Sequence, residues 1–209
     1  MGASQKQLFV ILYFLTKKEK IRMSDYNDNV ETFFYKGEIT VELSKPKGMI
    51  TLKGDLDRSP INSGVIKALG LPMPKVRTIS RKDGVQISWM APDELLILVD
   101  FKKVEEYMEL LEKNLKGEHY LLANVSDARA IFNLKGKGVR EVLSKGTPVN
   151  METIKIDDAR RSRLGQLPVA FWMVKNTEVE LVCFRSVTEF IFNWLKVASA
   201  PNSLPRYIG

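Results

Sequence analysis

A stretch at residues 131–146, IFNLKGKGVREVLSKG, has the residue types of a phosphate-binding loop. An apolar run ends in a lysine and two spaced glycines, and a helix-like segment with further basic residues follows. A Walker-type loop needs the pattern G-x-x-x-x-G-K-[ST], which the residues around Gly136 and Gly138 do not provide. A dinucleotide fingerprint needs a third glycine where the sequence has Glu141, whose carboxylate would repel a phosphate. We therefore predict that the two glycines shape a tight strand-to-helix corner.

The residue types of nucleophilic catalysis are present but incomplete. Ser126-Asp127 could belong to a hydrolase triad only with a histidine base, and His119 is the single histidine of the chain. We expect His119 to be exposed at the edge of a strand. Cys183 lies inside an apolar run, which predicts a buried thiol, and no base that could activate it is evident. One cysteine and one histidine also fall short of the roughly four ligands of a zinc site.

Two acidic pairs, Asp93-Glu94 and Asp157-Asp158, lie in turn-like contexts. Carboxylates in such contexts are ordinarily solvated or hydrogen-bond to the backbone of the turn. We therefore expect both pairs to be solvated, and we expect Asp157-Asp158 to cap its turn.

The segment ARRSRLGQLPV at residues 159–169 is the cluster with the strongest functional character. If residues 161–173 form one strand, period-two alternation places Arg161 and Arg163 on the same face. Paired arginines can clamp a carboxylate or a phosphate, and arginine is also enriched in protein interfaces. Simple solvation, a partner interface and a small anionic ligand are therefore all open interpretations.

Two tryptophans end the two alternating strands VQISWM and VAFWM. They could act as stacking platforms, but the ends of alternating strands favour packing or burial in an interface. The candidate interface residues are thus Arg161, Arg163, Trp89 and Trp172. We assign no catalytic, cofactor-binding or metal-ligating residue from the sequence.

The elements that would position these residues occur twice in the chain. TLKG (51–54) and NLKG (133–136) end two β-rich runs, so Gly54 corresponds to Gly136. Helical patterns follow at 63–72 and 137–148, and each runs into a Gly-x-Pro sequence whose glycine predicts a left-handed helix cap. Self-similarity of this kind indicates a duplicated unit.

The similarity continues beyond these helices, where Trp89-Met90 corresponds to Trp172-Met173 and Val104 corresponds to Val187. Buried strands are predicted at 95–100 and 179–184, and amphipathic helices at 101–117 and 184–199. The predicted buried face of the first helix comprises Val104, Tyr107, Met108, Leu111 and Leu115. The predicted buried face of the second comprises Val187, Phe190, Ile191, Trp194 and Ala198.

These patterns predict an α+β fold of two pseudo-repeated, ferredoxin-like β-α-β-β-α halves. The first half is expected over 45–126, with an extra strand at 120–126, and the second over 127–199. Residues 1–44 are expected to be a partly flexible N-terminal extension, and 200–209 a C-terminal tail. A shared ferredoxin-like pattern without common ancestry is the alternative to duplication.

The formal charge of +7 does not by itself indicate a nucleic-acid-binding protein. Residues 1–22 hold five lysines and arginines against one glutamate, a net +4, which leaves +3 for the rest of the chain. A nearly balanced body lacks the basic footprint of nucleic-acid recognition. The single cysteine cannot close an internal disulfide, and this favours a reducing, cytoplasmic setting.

The apolar run LFVILYFL at residues 8–15 is far shorter than the roughly 20 residues that span a bilayer. A signal peptide is an alternative, but no small-x-small cleavage pattern follows the run. We hypothesise that Met23 is the natural start and that residues 1–22 are a dispensable extension. A short helix that docks on a partner is the competing interpretation.

Several segments together resemble the gamma subunit of bacterial heterotetrameric sarcosine oxidase. They are WMAPDELLILV (89–99), NVSDARAIFNLKGKGVREVLSKGTPVNM (124–151), RSRLGQLPVAFWMV (161–174) and CFRSVTEFIFNWL (183–195). The succession V-S-D-x-R, L-x-G, V-L-x-K-G-x-P and R-L-G-x-x-P carries the resemblance, which covers about residues 45–199. Residues 1–22 depart from the family's pattern.

The resemblance implies a function that composition does not. In that family the complex demethylates sarcosine oxidatively to glycine, passes the one-carbon unit to tetrahydrofolate and produces hydrogen peroxide. The resemblance implies that FAD, FMN, NAD and tetrahydrofolate belong to the alpha and beta subunits, and zinc to the delta subunit. Gamma subunits resemble the folate-binding domain of aminomethyltransferases but carry no cofactor or catalytic residue of their own.

We therefore expect a non-catalytic, structural gamma subunit in the cytoplasm. Its expected partners are the alpha, beta and delta subunits, mainly the large alpha subunit, with no nucleic acid and no membrane. The alternative is a stand-alone folate-binding, aminomethyltransferase-like protein. A basic RNA-binding module is the least favoured interpretation, because the body of the chain is nearly neutral.

Overall fold

A computed structural model of the chain describes residues 33–205. The elements before the midpoint of the chain are β1 (Phe34–Lys36), β2 (Thr40–Leu43), β3 (Lys47–Gly54), α1 (Ser59–Leu69), β4 (Ile79–Lys82), β5 (Val85–Ala91), β6 (Glu94–Asp100) and α2 (Val104–Asn114). The elements after it are β7 (Tyr120–Asn124), β8 (Arg129–Lys135), α3 (Val139–Ser144), β9 (Ala159–Leu164), β10 (Leu167–Lys175), β11 (Glu178–Phe184) and α4 (Thr188–Ala198). This composition confirms the predicted α+β class.

The strands form two antiparallel sheets. The first sheet has the order β4-β5-β6-β3-β7, and the second has the order β1-β2-β8-β11-β10-β9. The order β5-β6-β3-β7, with α1 and α2 packed together on one face, is that of a ferredoxin-like unit, and β4 extends its edge. The order β10-β11-β8-β2 repeats this arrangement in the second sheet, and β9 extends it in the same way.

The two sheets face each other, and helices cover their outer faces. Along β10, Val169, Phe171 and Met173 point into the core beneath α3 and α4, whereas Ala170 and Trp172 point toward the first sheet. The central strands are buried on both faces, and this explains why they are continuous apolar runs. The inter-sheet core also contains Met49, Met90, Leu96, Leu98, Ile131 and Val182.

The N-terminal part of the described chain completes the second half. In the first sheet, β7 follows α2 along the chain and pairs with β3. In the second sheet, the corresponding place beside β8 is taken by β2, which comes from the segment expected as an N-terminal extension. Residues 1–32, with the apolar run and Met23, lie outside the described residues. The division between the halves at residues 126 and 127 stays a prediction.

A pair of matching turns joins the two sheets. The turns at residues 75–80 and 155–160 each place a non-glycine residue at positive φ, Arg77 at 61° and Asp157 at 66°. The Ile79 N–H donates to the Asp157 carbonyl at 2.9 Å, and the Ala159 N–H donates to the Arg77 carbonyl at 2.8 Å. These reciprocal bonds relate the two halves by a pseudo-two-fold axis.

The structure corrects the predicted register between the halves by one position. The helix α2 begins at Val104 and α4 begins at Thr188, so Val104 corresponds to Thr188 rather than to Val187. The last residues of the two helices, Asn114 and Ala198, agree with this corrected register. The two helices therefore have the same length and occupy equivalent positions in their halves.

The strands of the two sheets show the same corrected register. Ile87 pairs with Ile97 in the first sheet, and Phe171 pairs with Leu181 in the second, so the two hairpins correspond pair by pair. A shift of one position along a strand moves each side chain to the opposite face. Trp172 therefore corresponds to Ser88 rather than to Trp89.

The corrected register explains which face of α4 is buried. Phe190 was predicted to be in the core, yet it is exposed, because it corresponds to the exposed Glu106 rather than to Tyr107. Phe192 and Leu195, which the predicted face omits, are buried instead. The predicted face of α2 is confirmed, since Val104, Leu111 and Leu115 are buried and Tyr107 and Met108 pack against them.

The corner around Gly136 and Gly138 is filled by neighbouring side chains. A Cβ atom on Gly136 would lie 2.8 Å from Ile39 Cγ2 and 3.1 Å from the Glu38 carbonyl oxygen, and the residue has a φ of 150°. A Cβ atom on Gly138 would lie 2.4 Å from Leu204 Cδ1. The chain itself therefore occupies the space in front of the corner. This agrees with the prediction that the two glycines shape a structural corner.

Only one of the two predicted glycine caps has the expected conformation. Gly70 caps α1 at a φ of 66°, and its N–H donates to the Ile66 carbonyl. Gly146 has no positive φ, and Lys145, which follows the last residue of α3, has an ordinary helical conformation. A Cβ atom at Gly146 would lie 2.4 Å from the Trp194 ring, so close packing explains this glycine.

Alanine substitutions at Phe192 and Phe190 test the corrected register. The Phe192 ring packs 5.2 Å from that of Phe33 and 6.3 Å from that of Phe132, measured between centroids. We expect Phe192→Ala to lower the free energy of unfolding by about 3–5 kcal/mol. We expect Phe190→Ala to change it by about 0.5 kcal/mol or less, because that ring is exposed. The free energies of unfolding of both variants can be measured by urea unfolding. Equal losses of stability in the two variants would contradict the corrected register.

Candidate functional site: a charged seam between the halves

A buried carboxylate, that of Glu94, lies where the two halves meet. Glu94 begins β6 directly after the β5–β6 turn, and only 4% of it is exposed. Its carboxylate lies 3.2 Å from Lys53 Nζ, 3.0 Å from Arg161 Nη1 and 3.7 Å from Arg129 Nη2. The prediction that the Asp93-Glu94 pair is solvated is wrong for Glu94, because the β-bulge in β5 and the hairpin pairing turn this side chain inward. Asp93 itself is exposed.

The cations around Glu94 come from both halves. Lys53 lies opposite Glu94 in the neighbouring strand of the first sheet, whereas Arg129 and Arg161 come from β8 and β9 of the second. The side chains of Lys53 and Arg161 are half-exposed, so water screens their attraction to Glu94. Arg129 is far less exposed and therefore depends more strongly on the carboxylate. Glu94 thus connects the two halves electrostatically.

Burial perturbs the guanidinium of Arg129. Its desolvation lowers the pKa of Arg129 from the ordinary value, and the nearby Glu94 carboxylate opposes that shift. Arg161, a second cation on the same carboxylate, adds to the lowering. The Arg129 guanidinium also lies 5.9 Å from the centroid of the Phe184 ring, within the range of a cation–π contact. Arg129 is thus held by a carboxylate and a ring together.

A second ion cluster at the opposite side of the inter-sheet core resembles the first. Glu180 accepts hydrogen bonds from Lys47 Nζ at 2.8 Å and from Trp172 Nε1 at 2.7 Å. Lys47 and Arg129 are the first residues of β3 and β8, and each pairs with a carboxylate of the other half.

The Trp172 side chain is fully buried inside the chain, so it is not available at the surface as a candidate interface residue.

Two clefts related by the pseudo-two-fold axis flank these ion clusters. The larger has a volume of about 1060 Å³ and is lined by residues 84–86 and 98–100, among others. The smaller has about 90 Å³ and is lined by the corresponding residues, 168–170 and 182–184. Glu94, Arg129 and Arg161 also line the smaller cleft. The charged seam, formed by Lys53, Glu94, Arg129 and Arg161, therefore lies at one of the two equivalent clefts and leaves the other cleft open.

A third cleft brings together two of the four predicted interface residues. This arginine cleft has a volume of about 620 Å³ and is lined by Arg77, Trp89, Asn150, Ile154, Arg160 and Arg161, among others. Trp89 is half-buried in it, at the end of β5. Arg163 is exposed on the same face of β9 as Arg161 but does not line the cleft. The structure therefore places Trp89 and Arg161 together, Arg163 beside them and Trp172 in the core.

The single cysteine and the single histidine lie where their sequence contexts predict. Cys183 is buried, and this desolvation raises the pKa of its thiol to about 11. A thiol with a raised pKa is a weak nucleophile. His119 is exposed immediately before β7. Among residues 33–205, no three His, Cys, Asp or Glu side chains are grouped so that they could hold a metal ion.

The sequence did not identify the residues at the centre of the seam, namely Lys53, Glu94 and Arg129. A signal for Glu94 exists, since a glutamate opens the otherwise apolar strand ELLILV. No local pattern pairs it with Arg129 or Arg161, because these contacts depend on how the two sheets pack.

In the described part of the chain, no helix is long and apolar enough to cross a membrane.

The sarcosine oxidase gamma subunit family model matches residues 53–201, more than two thirds of the chain. The chain belongs to this family. The match runs from the end of β3 past the end of α4 in this gamma-family chain and includes Glu94, Arg129 and Arg161. No curated protein matches the sequence significantly.

Solved structures share the fold of this gamma-family chain. A chain of the heterotetrameric sarcosine oxidase from Corynebacterium sp. U-96, in complex with pyrrole 2-carboxylate, matches with a TM-score of 0.74 and 21% identity. That match covers 85% of this chain and 92% of that chain. The glycine cleavage system aminomethyltransferase T from Bartonella henselae matches with a TM-score of 0.57 and 13% identity. This match covers 74% of this chain and 44% of the aminomethyltransferase chain. The match supports the predicted likeness to aminomethyltransferase-type domains at the level of the fold.

Neutralising Glu94 tests the charged seam. Glu94→Gln preserves the shape of the side chain but leaves the mostly buried Arg129 without its carboxylate. We expect a loss of about 2–4 kcal/mol in the free energy of unfolding, since removal of one partner strands a buried charge. Asp93→Asn is the matched control, and we expect a change of about 0.5 kcal/mol or less for that exposed neighbour. Equal effects in denaturant unfolding would show that Glu94 does not hold the halves together.

The raised pKa of Cys183 predicts a pH dependence of stability. The folded-state pKa of about 11 exceeds the ordinary value of 9.0, so the unfolded chain loses this proton first as the pH rises. The contribution of the buried thiol is fully present below pH 9 and is lost as the pH approaches 11. Between pH 8 and pH 11 we expect the wild type to lose about 2 kcal/mol more stability than Cys183→Ala. Parallel pH profiles of the two proteins would contradict the burial of a neutral thiol.

Proposed function

We propose that this chain is the non-catalytic, structural gamma subunit of a heterotetrameric sarcosine oxidase. The observation that carries the proposal is the family match across residues 53–201. The similarity to a chain of the Corynebacterium complex over 85% of the present chain supports it at the level of the fold. In the proposed reaction the complex converts sarcosine to glycine, transfers the one-carbon unit to tetrahydrofolate and forms hydrogen peroxide.

The proposed division of labour leaves the chemistry to the partner subunits. FAD, FMN, NAD and tetrahydrofolate would be bound by the alpha and beta subunits, and zinc by the delta subunit. In the described part of this chain, Cys183 is a neutral buried thiol and His119 is exposed outside the three clefts. The proposed setting of the complex is the cytoplasm, where a single unpaired cysteine stays reduced.

The proposed role of this chain is to support the large alpha subunit by burying surface against it. The outer face of α4 presents Phe190 and Val197, which are two helical turns apart, and the half-buried Trp194 lies between them. Apolar side chains grouped at this spacing on a helix lie on one face, and such exposed patches mark association sites. The arginine-bearing edge at β9 offers a second surface, with Arg161 and Arg163 exposed.

Co-expression of the four subunits with and without this chain tests the proposal. We expect the complete set to yield an assembled flavoprotein that produces hydrogen peroxide from sarcosine. We expect omission of this chain to reduce the yield of assembled complex, and we expect the isolated chain to have no activity. Normal assembly and activity without this chain would contradict the proposed role.

A titration with tetrahydrofolate separates the proposal from the alternative of a stand-alone folate-binding protein. The family match does not favour that alternative. We expect no saturable binding to the isolated chain, measured by calorimetry. Binding in the micromolar range would favour the alternative and would direct attention to the open cleft of about 1060 Å³.

A further inference from the structure

The arginine cleft lies at the corner where the two halves are joined. Its walls are the turn that carries Arg77, the end of β5 with Trp89, the start of β9 and the segment 149–154. Thr78 and Asp158 form an isolated β-bridge between the two turns beside the cleft. Elements of both halves therefore hold the cleft in a fixed shape.

The lining of the arginine cleft has one sign of charge. Of the eleven residues that line it, three are arginines and none is acidic. The Arg160 guanidinium donates to the Asp158 carboxylate and to the carbonyls of Arg77 and Ala159, which orients it. Arg161 contacts Glu94, yet 56% of its side chain is exposed. The Arg77 side chain is exposed and makes no ion pair or hydrogen bond within residues 33–205. Asp158 thus offsets the charge of Arg160, Arg161 shares Glu94 with two other cations, and Arg77 has no acidic partner in the described residues.

The cleft combines this charge with apolar surface. Trp89 is half-buried, and Met90, Pro92, Val149 and Ile154 supply the rest of the apolar lining. Tryptophan and arginine are the residue types that most often dominate the energy of protein interfaces. A volume of about 620 Å³ exceeds the needs of a single small anion and leaves room for several side chains of a partner.

The adjoining strand β9 favours an extended occupant. It is the edge strand of the second sheet, and within residues 33–205 its outer edge makes one backbone hydrogen bond, from the Ala159 N–H to the Arg77 carbonyl. Arg161 and Arg163 occupy alternate positions on one face of this edge. A segment that runs alongside an edge strand presents alternate side chains to it. Carboxylates at alternate positions of such a segment would therefore meet these two arginines.

We propose that the arginine cleft and the adjoining edge of β9 dock an acidic, extended segment of a partner subunit. The segment carries carboxylates at alternate positions that pair with Arg77, Arg161 and Arg163, and an aliphatic or aromatic side chain that packs on Trp89. This inference rests on the proposed function and adds to it the surface and the chemistry of the partner. The near-neutral remainder of the chain argues against a nucleic acid as the occupant.

Charge reversal at Arg77 tests the docking site. Aspartate suits this position, because the corresponding residue of the second half is Asp157, which also has a positive φ. Lys67→Glu is the matched control, since it makes the same change of charge at an exposed position of α1 outside the cleft. Thermal unfolding checks that both variants fold.

The measured quantity is the affinity of each variant for the other three subunits, at low and at high salt. We expect Arg77→Asp to weaken association at least about tenfold at low salt and to reduce its salt dependence, with Lys67→Glu close to wild type. Wild-type affinity for Arg77→Asp would overturn the docking site, and so would equal losses in both variants. Failure of the wild-type chain to associate would instead overturn the proposed function.

A photo-crosslinking side chain at Val149 gives an independent readout that does not depend on a change of charge. We expect the assembled complex to yield a crosslinked peptide of a partner subunit that contains at least two Asp or Glu residues. A crosslink to a segment without acidic residues, or to a second copy of this chain, would overturn the proposal. Complete absence of a crosslink from an assembled complex would also overturn it.

Discussion

The two sheets bury their apolar inner faces against each other, and this burial holds the two halves together. Each half has a helix-covered face that forms its own core, but its other face is apolar and has no helix to cover it. Trp172, Met90, Leu96, Leu98 and Val182 lie in the shared layer between the sheets. Neither half could expose this layer to water without a large cost in free energy. The pseudo-two-fold pairing of the halves satisfies both faces at once.

The polar contacts of the structure follow from this packing. When two sheets cover each other, charged residues at the strand ends are partly buried and need partners from the opposite sheet. Glu94 and Glu180 fulfil this need with Arg129 and Lys47, respectively. The two solutions differ, because the cluster at Glu94 fills its cleft whereas the cleft beside Glu180 stays open. A duplicated fold thus provides two equivalent sites with different contents.

Much of the fold could be predicted from the sequence, because its signals are local. Apolar runs, glycine-containing corners and amphipathic periods predicted the order of elements and the ferredoxin-like halves. The predicted register between the halves was wrong by one position, because it was based on aligning the two Trp-Met pairs. The face on which each strand residue lies contradicts that alignment, and this face is known only from the pairing of the strands. The pairing of β2 with β8 is a long-range contact, so it could not be predicted from a segment that looked like an extension.

The candidate site was only partly predictable for the same reason. Arg161 and Trp89 were identified by residue type and lie in one cleft, whereas Trp172 proved to be part of the inter-sheet core. Glu94 and Arg129 acquire their importance only when the two sheets meet. In the proposed role, surfaces formed by both halves matter more than any single reactive group. A subunit that supports a larger partner needs a rigid shape, which the shared core provides.

Native mass spectrometry can determine whether this chain works as one subunit of a larger oxidase. A tag on this chain would be used to purify whatever assembles with it in cells that express all four subunits. We expect a single complex that contains this chain together with the alpha, beta and delta subunits and bound flavin. Recovery of the 23.8 kDa chain by itself, beside a fully assembled oxidase that lacks it, would show that this chain is not a subunit of the oxidase.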